Sequence, residues 1–301
     1  MNNEVRLLHN SNLDIQKWDQ VIERADNSRI YAFSWYLSIL HPDWHGLIYG
    51  DYDRVMPVIF STKWGIEYAF QPIYAQQHGI FPSASENITS LFLSFLKERF
   101  RYLDISLNSL NSMNDPELKV ENRKNYLLPL EKSYEETYQN YSSHCKRNLK
   151  KALTENKISS SISIEEFIRF KMDNNATSFP EELKNRLLSI ISAAQCRNAG
   201  FLYGAYSNQG ELCGASFFLN GSSRSIILNS VSSDKGKEYR SMYAIIDAFI
   251  RENSGNSLLL DFEGSNVEGI ARFYHGFGAE PETYMHLKYN RLPWPVKLLK
   301  K

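Results

Sequence analysis

Two carboxylates stand two residues apart at the end of an apolar run, LLLDFEG, which begins at Leu258. A run of this kind stopped by glycine reads as a buried strand followed by a turn. The carboxyl end of such a strand is where open α/β sheets place their ligands. A glutamate there can take a proton from a substrate, directly or through water. That makes Glu263 the leading candidate base, against the plainer reading of a surface or helix-start carboxylate. Asp261 is the second candidate, with fold punctuation as its competing role.

Two further groups carry chemistry. Lys146, Arg147, Lys150 and Lys151 sit at i, i+4 spacing on one helix, a basic face suited to phosphates or an anionic glycan precursor, or simply to solvent. Gln71, Gln76, Gln77 and His78 lie in an aromatic β segment, where paired amide donors and acceptors can recognise a substrate or brace the fold. Seven histidines and three cysteines show no metal-ligand spacing, so no metal site is expected.

The elements that must position these groups are legible in outline. Lys plus Arg equals Asp plus Glu at 34 each, so a general polyanion-binding surface is not indicated, a local basic patch stays open, and there is no reason to expect DNA. No signal peptide opens the chain and no apolar run reaches about 18 residues, so no transmembrane segment is expected and the chain reads as cytoplasmic. Helical spacing covers 14–25, 34–40, 85–100, 165–172, 181–197 and 241–252. A further helix starts at Ser133 with the capping-box pair Ser133 and Glu136, its stripe running from Tyr134 to Leu153. Strand patterns occupy 5–8, 46–81, 102–107, 125–130, three segments between 201 and 232, 258–263 and 283–290. Residues 108–123 are polar and read as a linker.

The two halves resemble each other. HGLIYGDYDRVMPVIF, from His45, matches AGFLYGAYSNQGELCGASFF, from Ala199. SLFLSFLKERFRYLDISLNS matches MYAIIDAFIRENSGNSLLLDFEGS, which sets Asp104 against Asp261 and Ser106 against Glu263. The offsets are 154 and 157 residues. Two matches in order at near-equal offset indicate a duplicated α/β domain, with units at 1–122 and 123–301.

The order of elements in the second half, and the segment Phe273-Tyr274-His275-Gly276-Phe277-Gly278, resemble the GNAT acyltransferases. A tandem pair of such domains is similar to the Fem-type peptidoglycan aminoacyltransferases and their acetyltransferase-like relatives. QPIYAQQHGIF, from Gln71, and DFEGS, from Asp261, resemble a bacterial branch of that group. The resemblance implies an α/β fold with a mixed sheet in tandem GNAT-like domains, and a cytoplasmic N-acyltransferase. It further implies an acyl-CoA donor such as acetyl-CoA on the second domain, and a small-molecule or glycan or peptide-precursor amine entering between the domains. Tyr274 matches the tyrosine that protonates the leaving thiolate. Gln71, Gln76, Gln77, His78, Lys146 and Arg147 are the substrate candidates.

One departure stands out. GNAT enzymes hold the cofactor pyrophosphate with a [QR]-x-x-G-x-[GA] loop. The matching place here, Val231 and Ser232 followed by Lys235, Gly236, Lys237, Tyr239, Arg240 and Ser241, carries one glycine and three cations. The cations can clamp phosphate in place of the missing glycines. Two alternatives follow. One is a Fem-type transferase that takes its acyl group from aminoacyl-tRNA and acts on a peptidoglycan precursor. The other is a catalytically inactive GNAT-like binding module. A capping box is also expected at Ser265 and Glu268, with Gly276 and Gly278 at the helix exit.

Overall fold

The computed structural model of the protein describes residues 4–175, 179–264 and 267–294. Two compact units are present, Met1–Lys124 with Thr283–Lys301, and Asn125–Glu282. The division differs from a simple cut of the sequence in two, because the last strand is built into the first unit.

The first unit contains β1 (Val5–His9), α1 (Ile15–Arg24), α2 (Ser34–Leu40), β2 (His45–Tyr49), β3 (Arg54–Val58), β4 (Phe60–Lys63), β5 (Ile66–Phe70), α3 (Glu86–Arg99) and β6 (Tyr102–Ser106). Asp14 starts α1 by accepting a hydrogen bond from the Lys17 N–H, and Trp18 and Ile22 turn one face of that helix inward. Strands β1, β2 and β3 form an antiparallel sheet. In the other sheet of this unit β5 pairs antiparallel with β4 and parallel with β6. Helix α3 makes the crossover that a parallel pair requires. Its Phe92, Leu93 and Leu96 are buried with Leu103, Ile105 and Leu107.

The chain continues through β7 (Lys119–Pro129), α4 (Tyr134–Gln139), α5 (Ser143–Glu155), β8 (Asn156–Ser159), α6 (Ile164–Asp173), α7 (Glu181–Gln195), β9 (Gly200–Ser207), β10 (Leu212–Asn220), β11 (Arg224–Ser232), α8 (Asp234–Glu238), α9 (Ser241–Asn253), β12 (Leu259–Gly264), α10 (Glu268–His275) and β13 (Glu280–Asn290). In the second unit the strand order is β7-β12-β11-β10-β9-β8. Here too a parallel pair, β11 with β12, is joined through helices, α8 and α9. The core stacks Phe218 on Phe249 at 4.0 Å and gathers Phe262, Phe277 and Leu260 around them. From Thr283 onward β13 pairs with β6 of the first unit, His286 opposite Ser106.

The repeat is therefore structural. Hairpin β2–β3 corresponds to β9–β10, and α3–β6 corresponds to α9–β12. The fold is mixed α/β in tandem units.

Several elements differ from the sequence expectation. The helix expected from Ser133 onward is two helices. The capping box at Ser133 forms, but Ser142 then caps a new start by accepting from the Cys145 N–H, and its own N–H donates to the Gly276 carbonyl. The end of the expected linker, from Lys119, is the start of β7. Only 46–70 of the long β segment is regular strand. Gly278, at φ 84°, takes the left-handed exit from α10, whereas Gly276 is still helical. The Ser265 capping partner lies outside the described residues.

The break between α4 and α5 gives a direct test. Ser142→Ala removes the cap and is expected to cost about 1 kcal/mol. A lowered urea midpoint checks this; an unchanged midpoint shows that the cap does not set the break.

Candidate functional site

The site in the second unit is a fork. Strands β11 and β12 run in parallel register from Arg224 and Leu259 to Ile226 and Asp261, and there the register ends. Each prong carries a bulge just past that point. On β11, Phe218 faces Ile227 but Phe217 faces Asn229, so Leu228 is an extra residue. On β12, Asp261 faces Leu127 of β7 but Gly264 faces Asn125, which leaves one residue over. Bulges re-aim side chains and are frequent beside active sites.

The second bulge is held by a side chain. Asp261, 1% exposed, accepts the Glu263 N–H at 2.7 Å through one carboxylate oxygen. Its other oxygen pairs with the Arg224 guanidinium at 2.8 Å, and Glu282 approaches the same guanidinium twice at 3.3 Å. Glu263 itself sits in the left-handed region at φ 57°, half-buried. A non-glycine residue there costs of order 1 kcal/mol, and such strain clusters at functional positions. Asp261 offsets that cost.

Tyr274 packs over the same place. Its ring meets Phe262 at 4.8 Å and Tyr126 at 6.0 Å. Burial first, then the charges of Glu263 and Asp261, push its phenol up to about 12. It therefore keeps its proton at neutral pH and can donate it. The structure thus brings Glu263, Asp261 and Tyr274 together.

The expected phosphate loop has a different build. Val231 and Ser232 end β11. The chain then turns at once into α8, which Ser233 caps by accepting from the Gly236 N–H while its hydroxyl donates to the Cys213 carbonyl. Gly236 is buried against β10: a Cβ added there would lie 1.9 Å from the Cys213 oxygen. Its glycine serves helix–strand approach. The Lys235 ammonium pairs with Glu211 at 2.6 Å and lies over the Tyr239 ring, and Lys237 pairs with Asp234 at 2.7 Å. Ser241 is fully buried and donates to Asn156 at 2.6 Å. Arg240 is exposed in the left-handed region at φ 60° and precedes α9, whose first turn has no side-chain cap. That uncapped turn presents backbone N–H groups of the kind that bind anions.

In the first unit the corresponding fork is strapped. β5 and β6 part after Phe70 and Asp104, and residues 71–78 fill the gap. The Gln71 N–H donates to the Asp104 carbonyl at 2.7 Å, and its side-chain oxygen accepts the Ser106 N–H at 3.0 Å. Its amide nitrogen donates to the Ala75 carbonyl at 2.8 Å. The Gln77 oxygen accepts the Ser109 N–H, and its nitrogen donates to the Gln76 oxygen. The His78 N–H donates to the Ser106 carbonyl. The cavity left behind Gln71, His78 and Ser106 is about 10 Å³. The three glutamines of this segment are thus engaged within the chain, while His78 is held by its backbone and leaves its buried Nε2 unbonded.

Beside the strap, the Ser106 hydroxyl lies 3.0 Å from Nδ1 of His286, whose Nε2 lies 2.8 Å from Asp104. Asp104 also accepts from the Tyr102 hydroxyl at 3.0 Å. His286, Tyr102 and Lys288 hold its carboxyl below the usual carboxylate range against the opposing effect of burial.

Lys146 and Arg147 lie elsewhere, in a cavity described below. Sequence reading missed Arg224, Asn125 and Asn229. Asn125 is fully buried beside the β12 bulge with neither amide atom hydrogen-bonded, and the Asn229 side-chain oxygen, past the β11 bulge, is also unbonded. No periodicity marks such residues, because their role depends on strand pairing.

No family model matches the chain, and no curated protein does. Solved structures are similar to it in fold. The crystal structure of FemX superposes with a TM-score of 0.67 at 11% identity, over 98% of this chain and 99% of that one. A tandem GNAT protein from the clavulanic acid biosynthesis pathway gives 0.55 at 9%, over 96% and 99%. L-PGS from Bacillus licheniformis gives 0.54 at 10%, over 94% of each chain.

Two outcomes follow. Gly236→Ala is expected to destabilise the protein by roughly 3 kcal/mol through overpacking. Gly269→Ala, with open space around its added methyl, is the control. Equal melting temperatures for the two would sink the packing reading. His78, fully buried, has its pKa lowered from 6.5 to about 4 by desolvation. Between those values the unfolded chain binds the proton and the folded one does not. Stability present above pH 6.5 is therefore lost as pH falls to 4, by about 3 kcal/mol in total. His78→Asn should flatten that part of the stability–pH curve, whatever its baseline stability.

Proposed function

We propose that this chain, which has the tandem GNAT-like fold of Fem type, is an N-acyltransferase. It moves an acyl group from an activated carrier to the amine of a small molecule or of a glycan or peptide precursor. The observation that carries this reading is the bulged fork of the second unit. There two bulges and a strained Glu263 stand beside a protonated Tyr274.

The roles follow from the chemistry. Glu263 takes a proton from the acceptor ammonium, directly or through water. The neutral amine attacks the acyl carbonyl; as the tetrahedral intermediate collapses, Tyr274 donates its proton to the leaving group and the nitrogen returns its surplus proton, through water, to the phenolate. Each transfer contributes on the order of 10²–10⁴-fold in rate. The first reading has acyl-CoA as donor, its phosphates at the uncapped start of α9 beside Arg240.

Two observations favour aminoacyl-tRNA as donor instead. Helix α8 fills the phosphate loop, and Lys235 and Lys237 already have carboxylate partners. The phenol is also matched poorly to a thiolate. Burial raises the phenol above its ordinary range, which matches it less well to a thiolate, whose ordinary pKa is about 8.5, than to a more basic leaving group. An alkoxide leaving from an ester is the stronger base and draws that proton more readily.

Calorimetric titration with acetyl-CoA, run beside retention of charged tRNA, tests both. Saturable acetyl-CoA binding, kept in Glu263→Gln while acetylation of a polyamine falls at least 100-fold, supports the first reading. Silence at millimolar acetyl-CoA with salt-dependent tRNA retention supports the second. If neither binds, the acyltransferase reading fails and a binding module takes its place.

A further inference from the structure

A second feature of this unit lies apart from the proposed chemistry. Helices α4, α5 and α9 border a cavity of about 600 Å³. Lys146, Arg147 and Lys150 of α5 and Arg251 of α9 line it together with Tyr134 and Tyr138, and no carboxylate does. Four cations converging on one space repel each other, and an anion would relieve that cost.

The cavity is built rather than incidental. Beneath it Asp247, 1% exposed, accepts the Tyr134 hydroxyl at 2.9 Å and an Arg251 N–H at 3.0 Å. The same guanidinium nitrogen donates to the Tyr134 hydroxyl at 3.1 Å, and the guanidinium stacks on that ring at 4.7 Å. Arg251 is thereby fixed at the rim. Lys146 is placed by the Gln139 carbonyl at 2.9 Å and lies over the Tyr138 ring. Lys150 has no ion pair among the described residues and is exposed. Leu149 and Leu153 supply an apolar wall, and Leu153 is 48% exposed.

We propose that this cavity binds a small phosphorylated ligand, with its phosphoryl groups among Lys146, Arg147, Lys150 and Arg251 and its apolar portion against Leu149 and Leu153. The size falls within the range of small-molecule sites. Arginine and lysine together suit phosphate: a fixed fork and mobile point charges. The four cations line one cavity of about 600 Å³, a bounded space that suits a small ligand better than a polymer.

Inorganic pyrophosphate is the probe. Calorimetry at fixed ionic strength is expected to show saturable binding with a submillimolar Kd, and a rise in melting temperature that sodium chloride does not reproduce. Lys150→Glu, an exposed position, should weaken binding at least 10-fold without lowering the melting temperature of the free protein. Lys150→Arg should retain binding. Absence of saturation, or equal affinity in Lys150→Glu, overturns the site. A competing tRNA or RNA oligomer that displaces pyrophosphate, and whose log affinity falls against log salt with a slope steeper than about 4, overturns the small-ligand assignment in favour of a nucleic-acid surface. Glu263→Gln should bind pyrophosphate normally, so failure of the acyltransferase reading leaves this result readable.

Discussion

Parallel strands share hydrogen bonds only while they stay side by side. In both units of this chain the central parallel pair parts after three residues, and a buried backbone group without a partner costs free energy. The rest of each unit answers that constraint. In the first unit the answer is a strap, residues 71–78, whose amide side chains and backbone close the gap to about 10 Å³. In the second unit no such segment follows the strand. The chain leaves β11 for α8, which packs on β10 through Gly236. One copy of the duplicated fold has spent its fork on stability. In the other, Asn125 and Asn229 lie beside the fork with buried amide atoms unbonded.

Most of the frame was legible in sequence because it rests on local pattern. The apolar spacing of α1, α3 and α9, the Tyr-Gly hairpins and the offset of the two Leu-Asp strands all depend on neighbours within a few turns. What was not legible depends on pairing at long range. Nothing in TYMHLKYN says that it will lie beside β6, some 180 residues earlier, rather than in the second unit. Nothing in QPIYAQQH says that its amides will bond its own backbone. A run of polar side chains in a β pattern looks the same whether it faces a substrate or fills a gap in a sheet.

The phosphate loop shows the same limit. Lysines around a glycine at a helix start look like an anion site. Asp234 is a local partner, three residues before Lys237, but Glu211 and the Cys213 carbonyl that requires the glycine are set by how α8 lies on β10. The exposed basic face of α5 carried the opposite ambiguity. Its residues look solvated in sequence, and only the packing of α9, which brings Arg251 and buried Asp247, turns that face into the wall of a cavity.

The two carboxylates of β12 are not rivals for one role. Asp261 can hold the Glu263 N–H because Arg224 fixes its other oxygen, and that grip sets the left-handed turn at Glu263. The repeat supplies a comparison. Asp104 occupies the matching position, but both its oxygens are drawn to side chains, His286 on one and Tyr102 on the other. No bulge forms there: β6 runs in unbroken register with β13 as far as Ser106, the counterpart of Glu263. An aspartate engaged by flanking side chains leaves the strand straight, whereas one anchored by a single arginine bends it. Asp261 is therefore the condition for the turned backbone at Glu263, and the proposed role of Glu263 depends on that grip.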